Sequence, residues 1–370
     1  STREGVPSAM SLGEVAPSVI KFDTPHTGIP KTQILSNGRY VLMVTNAGGG
    51  YSQWGDFEIT RWRSDRTQDL WGAFCYIREA DTDRLWSNTF QPVGGKGESH
   101  SVEFALDRAV FRLVDNGIHT ETEVIVSPED DVEIRRITLI NRSVRTRRLD
   151  VTSYVELSMA AHNADRQHPA FNKMFIQTES VPELQALLAY RRPRSKDEPP
   201  VYVAHRVTLE QAGDEALQFE TDRRRFVGRG RTLANPMGAY QKPGNTQGFV
   251  LDPILSLRRN VTLGPGQRVR VSLVLAAAET RQHVLSLMGK YSDPHAIDRA
   301  MDFAWASAQL ELRLLRIQPD EARRFQQIAS HLLFPNPLLR SPAGRIEENR
   351  KGQSGLWAYG ISGDFPIVLA

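Results

Sequence analysis

From about Gln33 to Ala278 the chain alternates apolar and polar residues with a period of two, a pattern that constrains its fold more than any other feature. Val102, Phe104 and Leu106 alternate with charged or small residues. Ile118, Thr120, Thr122, Val124 and Val126 share one face, as do Val269, Val271, Leu273 and Leu275. Successive side chains of a strand point to opposite faces, so these segments read as half-buried strands. Between them lie Asn37-Gly38, Asp115-Asn-Gly117, Ser127-Pro128 and Gly264-Pro-Gly266, whose residues take the backbone angles that tight turns require. Many such strands in succession, with no amphipathic helix between them, predict stacked antiparallel sheets rather than βαβ units. The expected fold class is mainly β, with a large antiparallel β-sandwich over residues 33–278 behind an N-terminal extension, 1–32.

The period changes after Glu279. Asp293-Pro294 has the chemistry of a helix start, and Ile297, Met301, Ala304, Ala308, Leu312 and Leu315 recur at helical spacing. A second helix is expected from Pro319-Asp320, with Ala322, Phe325, Ala329, Leu332 and Leu333 as its apolar face, closed by Pro335. Residues 279–334 therefore read as a helical linker. A polar loop follows from Asn336 to Ser354, and Asp364 is placed to cap a helix opening at Phe365-Pro366. Residues 335–370 read as the start of a further region. With Ser1 at the front and the first Met at position 10, both ends are expected to be cut from something longer.

Composition narrows the partners. The 370 residues carry 46 basic and 43 acidic side chains, a net charge of +3, and that slight excess does not imply nucleic acid. The runs Arg191-Arg-Pro-Arg-Ser-Lys196 and Arg223-Arg-Arg225 lie beside Asp197, Glu198 and Asp222 and read as solvated loops. The single cysteine, Cys75, excludes an internal disulfide framework and sits at a packing position between Phe74 and Tyr76. No stretch approaches the ~20 apolar residues of a membrane span, and no secretory pattern opens the chain. A cytoplasmic setting with no direct membrane segment is expected.

Two segments have the residue types of a binding site. Asn46-Ala-Gly-Gly-Gly-Tyr51-Ser-Gln-Trp54-Gly-Asp56 combines glycines, which let a backbone approach a ligand, with aromatic rings that stack on sugar faces. The same composition suits a wide hairpin packed by aromatics. No Gly-Lys-Ser/Thr follows the glycines, which removes a phosphate loop. Near the other end, Trp357, Tyr359, Gly363 and Asp364 place two rings and an accessible carboxylate on one short segment. Asp364 is equally suited to a helix N-cap, and one group can fill both roles. His162 and His168 lack zinc-ligand spacing. They are expected to hydrogen-bond within a loop, with no metal bound.

Taken in order, Asn46-Ala-Gly-Gly-Gly-Tyr51-Ser, Ile59-Thr-Arg-Trp-Arg-Ser-Asp65, Asp69-Leu-Trp, Tyr76-Ile-Arg78, Trp86-Ser, Gln91-Pro-Val93 and Leu356-Trp-Ala-Tyr-Gly-Ile-Ser-Gly-Asp364 resemble glycoside hydrolase family 94. That family includes cellobiose and chitobiose phosphorylases and the phosphorylase-like region of cyclic β-1,2-glucan synthases. The stretch from Thr152 to Phe175 is most similar to the cyclic glucan synthase and β-1,2-oligoglucan phosphorylase branch. The resemblance covers essentially the whole chain. It implies a galactose mutarotase-like sandwich leading through linker helices into an (α/α)6 barrel, cut as the barrel begins. It also implies inverting phosphorolysis of a β-gluco-oligosaccharide, in which a carboxylic acid protonates the glycosidic oxygen while phosphate attacks the anomeric carbon.

By the same resemblance the general acid lies beyond Ala370, so no catalytic residue is assigned within this chain and the chain alone is expected to be inactive. Asp364, Trp357, Tyr359, Gly363, Asn46, Tyr51 and Trp54 become substrate-binding residues, the last three on a loop that approaches the active site of its own or a neighbouring subunit of a homodimer. Inorganic phosphate is a co-substrate and no cofactor is implied. Two other readings stay open. One is a stand-alone carbohydrate-binding sandwich; the other is an inverting hydrolase using Glu347 or Glu348 as base.

Overall fold

A computed structural model describes residues 19–364 except Lys96, Asp197 and 211–215. The helix expected at Phe365-Pro366 and most of the 1–32 extension lie outside the described residues. Two nine-stranded antiparallel sheets face each other. The first runs in the order Ile20–Phe22, Ser99–Phe104, Ala109–Asp115, Ile118–Val126, Val132–Asn141, Arg268–Ala278, Val201–Leu209, Ala186–Arg191 and Ile176–Val181. The second runs Gln218–Asp222, Pro253–Leu263, Arg147–Ala160, Phe57–Thr60, Gly50–Trp54, Tyr40–Thr45 and Thr32–Ser36. Ala73–Glu79 also pairs with Arg147–Ala160 and carries Leu85–Ser87 on its far side.

The inward-facing half of each alternating strand builds the core. Phe104, Phe111, Leu139 and Val271 of the first sheet meet Leu42, Trp54, Ile77 and Leu257 of the second, with Cys75 fully buried among them. Burying such side chains is the main stabilising contribution, about 1.5–3 kcal/mol for each large one. His205 is one of the polar side chains buried in this interior. One ring nitrogen contacts the Val274 carbonyl at 3.0 Å and the other the Ser153 hydroxyl at 2.8 Å. Burial holds its pKa down at about 4, so the ring is neutral around pH 7.

Helices decorate the sheets: α1 (His162–Gln167), α2 (Pro169–Lys173), α3 (Arg223–Val227), α4 (Arg281–Lys290), α5 (Pro294–Leu315), α6 (Pro319–Leu333), α7 (Ala343–Glu348) and α8 (Ser354–Trp357). The helix start read at Asp293-Pro294 is present, with the Asp293 carboxylate accepting the His295 N–H at 2.9 Å. On α5 the expected face is buried only in its first half. Ile297, Met301 and Ala304 join Val284, Leu287 and Met288 of α4 over the outside of the first sheet, whereas Leu315 is exposed.

The face expected for α6 needs a larger correction. Phe325 and Leu332 are 58% and 55% exposed, because the helix meets the sandwich through a polar stripe instead. Gln326 accepts the Ile34 N–H at 2.9 Å and donates to the Ile34 carbonyl at 2.8 Å. Ser330 accepts the Thr32 N–H at 2.9 Å. Thr32–Ser36 is an edge strand whose outward backbone groups would otherwise lack partners, and side chains of α6 supply them.

Candidate active-site surface

The Asn46–Trp54 segment is a hairpin between Tyr40–Thr45 and Gly50–Trp54, and its glycines serve approach to the protein itself. A Cβ on Gly48, at φ +97, would lie 2.1 Å from the Thr89 hydroxyl oxygen, and one on Gly49 would lie 2.2 Å from Asp69 Oδ1. Either clash is prohibitive, so the loop closes only with glycine at these positions. Asn46 is buried, with its oxygen accepting the Lys31 N–H at 2.9 Å and its amide donating to the Thr24 carbonyl at 3.2 Å. Its polar atoms thereby tie the 24–31 segment to the hairpin. Trp54 is buried as well, and its indole N–H donates to Asp131 at 2.7 Å. Tyr51 is half-buried, its ring centroid 5.3 Å from that of Trp62, which meets Phe334 edge-on at 5.9 Å. Burial, and then the nearby Glu58 charge, raises the Tyr51 hydroxyl pKa.

Behind the hairpin loop opens a cleft of about 360 Å³ whose walls include His26, Asn46, Arg66, Gln68, Asp69 and Phe90. An aromatic wall with amide, guanidinium and carboxyl groups suits a polyhydroxylated ligand. Asp69 is the distinctive member. Burial pushes its carboxyl pKa from 3.8 up to about 6, opposed by the hydrogen bond from the Thr45 hydroxyl.

A second constellation gathers around α1. Arg61 makes a bidentate pair with Asp165, at 2.9 Å from Nε and 2.7 Å from Nη2, and reaches Glu156 at 3.2 Å. Arg63 bonds the same Asp165 carboxylate. Burial opposes ionisation of Asp165, but the two arginines together outweigh it and hold the carboxyl below its ordinary pKa. Glu156 passes the network on to Arg223 at 3.0 Å and to the Tyr154 hydroxyl at 2.8 Å. His162 is not in a loop as expected. It opens α1, and its Nδ1 lies 2.5 Å from buried Glu58, whose pKa burial raises against the opposing His162 contact. His168 sits at the junction of α1 and α2, where its backbone N–H donates to the Ala164 carbonyl.

The C-terminal candidates stand together on an exposed segment formed by the end of α8 and the turn after it. Trp357 and Tyr359 are 64% and 74% exposed. Gln353 spans the turn, donating to Asp364 Oδ1 and to the Ser362 carbonyl, each at 2.8 Å, while the Trp357 indole donates to that carbonyl at 3.3 Å. Gly363, at φ +76, provides the left-handed residue that the turn requires. Among the described residues, no hydrogen bond or ring contact joins this turn to Asn46, Tyr51 or Trp54. Sequence reasoning missed Asp69, Glu58 and Asp165 as site groups. The alternation of Arg61 and Arg63 was the available signal, since residues two apart on an extended segment face the same side.

A family model described as the glycosyl hydrolase 94 supersandwich domain matches residues 16–294. The chain belongs to glycosyl hydrolase family 94. Over 368 residues it is 37% identical to the cyclic β-(1,2)-glucan synthase NdvB of Rhizobium meliloti (strain 1021), covering 98% of this chain and 13% of that protein. It is 25% identical over 300 residues to the N,N'-diacetylchitobiose phosphorylase of Vibrio proteolyticus, covering 80% and 36%. The solabiose phosphorylase of Paenibacillus borealis is 24% identical over 290 residues, covering 76% and 36%. The chain thus spans a minor part of each of these family 94 relatives. No helix among its described residues is long and apolar enough to cross a membrane.

Proposed function

We propose that this chain is the sandwich portion of an enzyme acting on β-glucans, above all β-1,2-linked glucose, by inverting phosphorolysis or in cyclic β-1,2-glucan synthesis. The observation that carries this reading is the 37% identity to a cyclic β-(1,2)-glucan synthase along 98% of the chain. In this reading Asp364 binds the donor sugar through its hydroxyls, with Trp357 and Tyr359 as stacking faces and Gly363 shaping the turn. The general acid belongs to a later barrel segment, and inorganic phosphate is the nucleophile. Asn46, Tyr51 and Trp54 form a rigid wall rather than a set of direct ligands, which is consistent with the internal bonds of Asn46 and Trp54.

The outer flanks of α5 and α6 support the same reading. Trp305, Leu314, Phe325 and Leu332 are exposed, apolar side chains that the barrel, together with a second subunit of a homodimer, would cover. Residues 279–334 then act as the linker and 335–370 as the barrel's first segment. For a synthase the site faces the cytoplasm at the inner membrane. The cleft beside Asp69 favours one further reading, a non-catalytic saccharide-binding sandwich.

The test uses the complete enzyme. Asp364→Asn is expected to lower kcat/KM for phosphorolysis of β-1,2-oligoglucosides about 10- to 100-fold, the worth of hydrogen bonds to a charged group, while the isolated 370-residue chain releases no glucose 1-phosphate. Unchanged kinetics in that variant, or turnover by the isolated chain, would overturn the assignment.

A further inference from the structure

Apolar side chains project from two neighbouring segments at the edge of the first sheet. Phe171 and Met174, on and just after α2, are 46% and 63% exposed, and Phe249 and Leu251 are 73% and 87% exposed. The two segments are fastened together. Lys173 Nζ lies 2.5 Å from Asp252 Oδ1, and Thr178 and Gly248 exchange backbone N–H···O bonds of 3.0 and 2.7 Å. The four side chains therefore belong to one corner of the molecule.

Cations surround that corner. The Arg194 guanidinium stands 5.3 Å from the Phe171 ring centroid, and the Arg192 guanidinium 5.8 Å from that of Phe175. Both arginines and Lys196 are exposed. Among the described residues, Asp252 pairs with Lys173 and Arg223, and Glu198 with Arg191. Among the described residues, the guanidinium groups of Arg192 and Arg194 make ring contacts and no ion pair. The corner is apolar at its tips and positive around them.

Its shape separates the possible partners. The apolar side chains protrude from a loop and a helix of five residues, each 46% to 87% exposed. A folded protein would need pockets matched to each, whereas a fluid lipid interface accepts projecting side chains without such matching. We propose that this corner docks on an anionic lipid surface. Phe171, Met174, Phe249 and Leu251 enter the headgroup region, and Arg192 and Arg194 pair with lipid phosphates.

Sedimentation of the 370-residue chain with phosphatidylcholine vesicles, with and without phosphatidylglycerol, tests the proposal. Binding is expected only with the anionic lipid and should weaken in high salt. Arg192→Ser/Arg194→Ser should lower partition on the order of 20-fold, two surface cations' worth, and Phe249→Ser/Leu251→Ser should lower it at least as much. Phe325→Ser/Leu332→Ser, on the flank of α6, should leave it unchanged. Four results would overturn the proposal. These are no binding, equal binding to neutral vesicles, loss of binding in the α6 variant, and a dimer in ultracentrifugation that Phe249→Ser/Leu251→Ser dissociates without any vesicle binding. The last would assign the corner to a second copy of the chain.

Discussion

Asp69 shows how one side chain couples the cleft to stability. Its carboxyl pKa rises from 3.8 to about 6 on burial, so the folded state keeps a proton that the unfolded chain releases. The resulting contribution is complete below the unfolded value and is lost as the pH rises through about 6. Asp69→Asn should remove that loss, flattening the melting temperature between pH 4 and 7 and gaining as much as about 3 kcal/mol at neutral pH. Thermal melts across that range check it; a parallel decline in both proteins would contradict it. Asp165 predicts the opposite sign. Asp165→Ala leaves Arg61, which is 4% exposed, without its bidentate partner, and should cost about 3–5 kcal/mol in denaturant unfolding. The glycine run was legible in sequence as a demand for close approach, but what it approaches was not. Thr89 and Asp69 reach the hairpin only through tertiary folding.

At the scale of elements, strands and turns were the legible part, because alternation and turn chemistry are local. Ile118, Thr120, Thr122, Val124 and Val126 lie on one strand as read, and the Asn-Gly turn before it joins two strands of a hairpin. The burial of α6 was not legible. Its apolar residues at helical spacing marked a face, but the edge strand had unpaired backbone groups, and Gln326 and Ser330 satisfy those groups where a leucine cannot. Replacing Gln326 with Ala should leave the Ile34 N–H and carbonyl without protein partners and cost about 1–3 kcal/mol. Hydrogen exchange should show the Ile34 amide losing protection in that variant while the core strands keep theirs. The ion network from Arg61 to Arg223 was hidden for the same kind of reason. Its members are scattered along the chain and meet only when α1 folds back on the sheet.

Across the whole molecule, the expected mainly β fold with a large antiparallel sandwich is what the two sheets form, and the family model covers residues 16–294. The flanks of α5 and α6 are the feature that belongs to this scale. They leave Trp305, Leu314, Phe325 and Leu332 facing water, the kind of surface that association covers. The isolated chain should therefore self-associate. Leu314→Ser, Phe325→Ser and Leu332→Ser together should raise its solubility without lowering the unfolding midpoint, since none of the three is buried. Light scattering beside thermal melts distinguishes this from a structural role, in which the midpoint would fall.

The bond between Thr32 and Ser330 joins residues 298 apart in sequence. During synthesis on the ribosome, the strand Thr32–Ser36 emerges long before the helix that seals it. Until α6 leaves the exit tunnel, that edge is an open template to which another nascent chain can add a strand. Completion of the sandwich is thus timed by a helix that contributes little to its core, and codon usage or a pause ahead of Pro319 would set how long the edge stays open.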